Sequence, residues 1–127
     1  MVRQKLALEE AQKTVNEQKA LNWGLVKFRK ESPEIAKAML DLWRKSRSNN
    51  ALPTKVKELI AIGIVLIEKC KPCIFQHVQA ALAAGATRAE IIDAANVAIG
   101  MGGGVVYEYV GYLMEALEYF EKQNADR

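Results

Sequence analysis

The chain has 127 residues, 50% of them apolar and 26% charged, with a formal net charge of +3. This length and composition predict one globular domain of ordinary size, covering residues 1–127. The longest apolar run, residues 59–67, is too short to span a bilayer, so a membrane-spanning protein is excluded.

Positive charge is concentrated in the N-terminal part, where residues 1–50 carry 11 Lys and Arg against 6 Asp and Glu. The basic clusters at 27–30 and 44–47 could bind phosphate groups, but no nucleic-acid-binding motif accompanies them. We therefore expect solvated helix faces, with no nucleic-acid or membrane partner. The first twenty residues lack the apolar segment of a signal peptide, and the expected location is the cytoplasm.

Apolar residues recur at intervals of three and four, which predicts an all-α fold. Residues 3–30 form the first predicted segment, as one long amphipathic helix or two. Its candidate buried positions are Leu6, Leu8, Ala11, Val15, Leu21, Leu25 and Phe28. Ser32 and Pro33 have the pattern of a helix start. The helix that they open is expected to bury Ile35, Met39, Leu42 and Trp43 and to end at residues 48–50.

Residues 51–123 form the predicted core of the domain. The helix opened by Pro53 is apolar on nearly every face after Glu58, so we expect it at the centre of the fold or between subunits. A further helix over 72–84 ends at Gly85, and Thr87 starts the next one with a capping box. The inward positions expected for this next helix are Ile91, Ala95, Ala98 and Ile99. The glycine-rich segment 100–104 follows a helix and lacks the Lys-Ser/Thr pair of a phosphate loop, so it predicts a close helix junction before a last helix over 105–123.

The motif E-x11-C-x2-C-x3-H contains both cysteines and the only histidine of the chain. Its fixed positions are Glu58, Cys70, Cys73 and His77. In a reducing compartment such a close cysteine pair indicates catalysis or metal binding rather than a structural disulfide. A disulfide that closes so short a loop would also stabilise the fold little.

Pro72 predicts the local geometry, because proline is tolerated in the first turn of a helix. Cys73 should lie in that turn and Cys70 just before it, close enough for a disulfide. The helix dipole and the free N–H groups stabilise a thiolate there and lower a cysteine pKa from about 8.5. His77 follows one turn later and can exchange protons near neutral pH. Glu58, on the preceding apolar helix, needs a partner if it is buried, and His77 or a cysteine is the candidate.

Three interpretations are open on these residues. In the first, two apolar cysteines and a satisfied histidine lie near each other without a function, as in a non-catalytic oligomeric scaffold. In the second, the four motif residues bind zinc. In the third, a thiolate attacks a disulfide or a peroxide and a Cys70–Cys73 disulfide closes. The position in the helix favours a low pKa for Cys73, whereas Cys70, just before the helix, is expected to be more accessible. Which of the two cysteines attacks first therefore stays undecided.

The motif and the segments around it resemble the AhpD-like alkylhydroperoxidases of the carboxymuconolactone decarboxylase superfamily. The resemblance covers about residues 20–123 and rests on Glu58-Leu59-Ile60-Ala61, on the segment from Cys70 to His77, and on Ala80 to Thr87. It implies an all-α, single-domain helical bundle that assembles as a homotrimer or homohexamer. It also implies Cys70 and Cys73 as the redox pair and Glu58 and His77 as a proton relay.

The activity implied by the resemblance is hydroperoxide reduction or thiol–disulfide exchange of the peroxiredoxin type. It involves no bound metal or organic cofactor, with a lipoyl-bearing dithiol donor or a peroxiredoxin as partner. Some members carry a second histidine between the cysteines, where this chain has Pro72, so the expected relay is shorter. The decarboxylase branch lacks the cysteine pair, which argues against the remaining alternative, a carboxymuconolactone decarboxylase-type enzyme.

Overall fold

The computed structural model describes all 127 residues and consists of six helices without a strand. The helices are α1 (Val2–Glu31), α2 (Pro33–Arg47), α3 (Thr54–Glu68), α4 (Lys71–Ala83), α5 (Arg88–Gly102) and α6 (Gly104–Ala125). None of them is long and apolar enough to cross a membrane. The all-α prediction is confirmed.

Helices α3 to α6 form the body of the fold, and the first half of α1 packs across α4 and α6. The core contains 17 buried apolar residues, among them Ile62, Leu66, Phe75 and Leu117. Phe75 and Phe120 meet edge to face, with ring centroids 6.2 Å apart. The cysteine segment lies between α3 and α4 and is therefore held by two helices of this core.

The predicted helix ends agree with the structure at most junctions. Ser32 and Ser48 flank α2, Thr87 and Glu90 form the predicted capping box, and Gly85 has a φ of 91° just after α4. The helical part of the glycine-rich segment is longer than expected, because α5 continues to Gly102 and the chain turns only at Gly103. Gly103 has a φ of 79°, which explains why a glycine is needed at the turn.

Burial in the N-terminal half differs from the prediction. Ala11 is buried, and Leu8 and Val15 are half-buried, but Leu6, Leu21, Leu25 and Phe28 are exposed. In α2 only Ala36 is buried. The expectation that Ile35, Met39, Leu42 and Trp43 are buried is wrong for the single chain, because no part of this chain covers that face of α2.

We predict that Gly102→Ala destabilises the protein by about 1–3 kcal/mol, since the added methyl group overlaps neighbouring side chains. A Cβ at this position would meet Ile67 and Val106, and buried Val106 has no freedom to move away. Urea unfolding measures the change. Gly100→Ala is the matched control: its Cβ would have no neighbour within 4 Å. That substitution is expected to leave stability unchanged or to raise it by up to about 1 kcal/mol. Equal midpoints for the two variants would contradict the close approach at Gly102.

Candidate functional site

Cys70 and Cys73 lie at the start of α4, as the position of Pro72 predicted. The chain leaves α3 through Lys69, whose φ of 57° reverses its direction within two residues. Cys70 is the N-cap residue of α4, and Cys73 lies in the first turn. The two residues are joined in a disulfide, with their Cα atoms 5.2 Å apart. The local backbone thus brings both sulfur atoms to the N-terminal end of one helix.

The two cysteines have different surroundings. The backbone N–H of Cys73 donates to Sγ of Cys70 over 3.3 Å, the bond that an N-cap side chain makes with the first turn. Cys73 packs against the apolar core of the protein. The sulfur of Cys70 therefore has the contact with the positive end of α4, and the sulfur of Cys73 has the more apolar environment.

Glu58 and His77 are in direct contact, although they are 19 residues apart in the sequence. Oε2 of Glu58, on α3, lies 2.8 Å from Nδ1 of His77, on α4. The Glu58 side chain is only 4% exposed and that of His77 17%. Because a carboxylate can only accept, the contact places a proton on Nδ1 and leaves Nε2 as the nitrogen that can take up another proton.

The second carboxylate oxygen of Glu58 faces Arg47, a residue that the sequence did not assign to the site. Nη1 of Arg47 lies 3.6 Å from Oε1 of Glu58. The loop between α2 and α3 holds Arg47 in place, because the Thr54 hydroxyl donates to its carbonyl over 2.9 Å. Glu58 is therefore a buried carboxylate with a partner at each oxygen. The only sequence signal for Arg47 was its place in the basic cluster 44–47.

The structure thus brings together Glu58 with His77 and Cys70 with Cys73, with His77 one helical turn after Cys73. No group of three or more His, Cys, Asp and Glu side chains is placed to hold one metal ion. The zinc interpretation has no structural observation in its favour. The arrangement instead places a disulfide-bonded cysteine pair and a hydrogen-bonded imidazole on the first two turns of α4.

Glu115 is a further carboxylate near the cysteine segment that the sequence did not single out. It lies on α6, and its Oε2 atom is buried without a hydrogen-bond partner. Burial raises the pKa of Glu115, the positive charge of Lys71 between the cysteines lowers it, and the negative charge of Glu10 raises it further. Lys71 itself lies over the ring of Tyr112, with its Nζ 4.7 Å from the ring centroid.

We predict that Glu115→Gln raises the thermal midpoint at neutral pH by a few degrees. The raised pKa means that the native protein holds this proton more tightly than the unfolded chain, so stability falls as the pH rises above about 4.5 through the native pKa. The gain should disappear at pH values below 4.5, where the carboxyl group is protonated in both states. Thermal unfolding at pH 4 and pH 7 measures both effects. Glu108→Gln, at an exposed position of the same helix, is the control, and an identical response of the two variants would contradict the prediction.

A comparison with models of known protein families assigns this chain to a family. The model of the carboxymuconolactone decarboxylase family matches residues 33–118, which include α2 to α5, most of α6 and all four motif positions. The chain therefore belongs to the carboxymuconolactone decarboxylase family. The resemblance predicted from the cysteine motif is confirmed at this level.

Similar proteins occur in several bacteria. An uncharacterized protein of Cupriavidus necator is 32% identical over 93 residues, which cover 73% of this chain and 80% of the relative. A carboxymuconolactone decarboxylase family protein from Legionella pneumophila, solved in its apo form, is 36% identical with a TM-score of 0.77, over 87% of this chain and 96% of that one. A family protein from Thermotoga maritima shares the fold at 24% identity and a TM-score of 0.69, over 80% of this chain and 93% of that one.

Proposed function

We propose that this single-domain chain is a thiol–disulfide oxidoreductase of the AhpD-like type that reduces hydroperoxides through Cys70 and Cys73. One observation carries the proposal. The two cysteines share the N-terminal end of α4, and His77, in contact with buried Glu58 of α3, lies one turn further along α4. Thiolate stabilisation and proton exchange, the two requirements of thiol-based redox chemistry, are thereby available in one place.

In the proposed first step, the Cys70 thiolate attacks the outer oxygen of a hydroperoxide. The O–O bond breaks, Cys70 becomes a sulfenic acid, and the alkoxide leaves as the alcohol after it takes a proton from water. We assign the attack to Cys70 because its sulfur accepts the N–H bond of Cys73, a contact that is stronger for a thiolate than for a thiol.

In the second step, Cys73 resolves the intermediate. Its thiol gives a proton to Nε2 of His77 and attacks the Cys70 sulfur, and the hydroxide leaves as water with that proton. Glu58 holds the imidazole by its Nδ1 and so orients Nε2 for this transfer. The product of this step is a Cys70–Cys73 disulfide, a bond that the distance between the two Cα atoms, 5.2 Å, permits.

An external dithiol completes the cycle. It is oxidised to its disulfide, and Cys70 and Cys73 return to thiols, so no bound metal or organic cofactor is needed. We propose a lipoyl-bearing protein as this donor, a peroxiredoxin as an alternative acceptor of the electrons, and the reducing cytoplasm as the place of the reaction. We also propose that the protein is a homo-oligomer, a trimer or a hexamer.

Thiol titration tests the proposal directly. The reduced protein has two thiols. Stoichiometric tert-butyl hydroperoxide should remove both, and the product should be an intramolecular disulfide that dihydrolipoamide reduces. If neither hydroperoxide nor oxidised lipoamide consumes the thiols of the folded protein, the redox proposal is wrong and the non-catalytic scaffold is favoured. Stoichiometric zinc in the purified protein that blocks thiol reaction would favour the metal site.

A further inference from the structure

The C-terminal half of α1 and most of α2 project from the body as an arm, residues 19–47, which rejoins the body at Arg47. Residues 19–31 are all exposed, and at 1.5 Å per residue they extend for about 20 Å. Within α2, only Ala36 is buried. The arm contains ten exposed large apolar side chains, namely Leu21, Trp23, Leu25, Val26, Phe28, Ile35, Met39, Leu40, Leu42 and Trp43.

The total accessible surface of the chain is larger than that of a compact monomer of the same mass. The chain exposes 8541 Å² at a mass of 14.1 kDa. A compact monomer of that mass exposes about 6,700 Å². The excess of about 1,800 Å² is more than twice the roughly 800 Å² that each partner buries in a standard stable interface. The arm is therefore large enough to account for a permanent contact between chains.

The apolar residues of α2 form one stripe. Ile35, Met39 and Leu42 follow each other at intervals of four and three, so they lie along one face of the helix. Their exposed fractions are 67%, 45% and 60%. Lys37, Asp41 and Arg44 lie away from this stripe and pair with each other. An amphipathic helix with a bare apolar face of this kind fits a groove between two other helices.

The body of the protein has such a groove between α3 and α5. Its volume is about 740 Å³, and its exposed apolar residues include Ile60, Ile64, Ile67, Val97 and Met101. The α3 residues repeat at intervals of four and three, the same intervals as in the α2 stripe. Helices α2, α3 and α5 each have 15 residues, so α2 matches the groove in length.

The charges of the two surfaces are complementary. The arm carries eight Lys and Arg against three Asp and Glu. The groove is lined by Glu68, Glu90 and Asp93 and by no Lys or Arg. Glu90 already pairs with Lys55, which leaves Glu68 and Asp93 as the acids that face an incoming basic helix.

We propose that the apolar stripe of α2 in one copy docks in the α3–α5 groove of a second copy, and that the contact is reciprocal. A two-fold axis then covers both arms and both grooves at once and produces assemblies with an even number of copies, so of the two proposed states it is compatible with the hexamer and not with the trimer. The contact also bears on the redox site, since α2 ends at Arg47, whose guanidinium faces Glu58. The contact rests on the proposed homo-oligomeric assembly and is independent of the redox activity.

Two substitutions test the contact at its two sides. Leu42→Glu alters the stripe and Ile64→Glu the groove, and both side chains are exposed in the single chain, so each variant should fold. Each is expected to weaken the association roughly 100-fold or more, because the carboxylate would be buried in the contact without a partner. Leu6→Glu, 55% exposed in α1 outside the arm, is the matched control and should assemble as the unaltered protein does. Sedimentation velocity measures the mass, and circular dichroism checks the fold.

The pattern of the two variants separates the possible geometries. If arm bound arm, Ile64→Glu would have no effect, and if groove bound groove, Leu42→Glu would have none; either result overturns the proposal. Mixing the two folded variants should restore a partial association, because one intact arm and one intact groove remain. Zero-length carbodiimide coupling of mixed ¹⁴N and ¹⁵N protein should join arm lysines to Glu68 or Asp93 between copies. A monomeric protein whose arm binds anionic phosphatidylglycerol vesicles instead would overturn the proposal and make the arm a membrane-binding element.

Discussion

Cys70→Ser is expected to abolish hydroperoxide reduction, with kcat/KM lowered roughly 10³-fold or more, because the attacking sulfur is removed. The serine hydroxyl can still cap α4, so the helix and the core should stay intact. Peroxide consumption with dihydrolipoamide as the donor measures the loss. Single-turnover alkylation should show that the remaining thiol of Cys73 is not oxidised by stoichiometric peroxide.

Cys73→Ser is the matched counterpart and separates attack from resolution. This variant keeps the attacking sulfur, so one equivalent of peroxide should convert Cys70 to a sulfenic acid that dimedone traps, while turnover is lost. The reverse result, with a trapped sulfenic acid on Cys73 in Cys70→Ser, would contradict the assignment of the attacking residue but not the redox chemistry. Unchanged turnover in both variants would sink the redox proposal itself.

The geometry of the cysteine segment could be predicted because it depends on short-range rules. Proline in a first helical turn, two cysteines three apart and a histidine four residues later allow one arrangement on a helix start, and the structure contains it. The contact between Glu58 and His77 was one of two candidates and follows from the cost of burying a lone carboxylate on an apolar helix. Their roles in proton transfer stay a prediction.

Arg47 could not be placed from the sequence, because its position depends on the path of a loop. The contact with Glu58 requires α2 to end beside α3, and this in turn rests on the bond between the Thr54 hydroxyl and the Arg47 carbonyl. Neither residue belongs to a recognisable pattern. Glu115 was missed for a similar reason, since only the packing of α1 and α4 against α6 buries its oxygen.

Burial was predicted well in α5 and poorly in the arm, although the same periodicity was used for both. Ile91, Ala95 and Ala98 are buried as expected, whereas Ile35, Met39 and Leu42 are not. Periodicity shows that a helix has an apolar face but not what covers it. A face that another copy covers therefore has the same pattern as a face of the core. For this reason the failure of the prediction in α2 is itself an argument for the contact proposed between chains.

The second large effect is expected for Glu58→Gln, which keeps the size of the side chain and an oxygen for Nδ1 of His77 but removes the charge. Turnover should fall roughly 10²-fold, within the range for removal of acid–base assistance, because the imidazole loses the carboxylate that accepts from its Nδ1. In the proposed relay Glu58 acts through His77, so both the maximal kcat and the shape of its pH profile should change. Steady-state peroxide reduction from pH 5 to pH 9 measures both quantities.

The matched control is Glu17→Gln, at an exposed position of α1, which should leave rate and profile unchanged. If the role of Glu58 were purely structural, Glu58→Gln would lower the thermal midpoint. The pH profile of kcat, measured on the folded protein, would then stay unchanged. His77→Asn should cost at least as much activity as Glu58→Gln, and the double variant little more than His77→Asn, since two residues of one relay are not additive. Additive losses, or an unaltered profile in Glu58→Gln, would show that the 2.8 Å contact between Glu58 and His77 holds the two helices together and moves no proton.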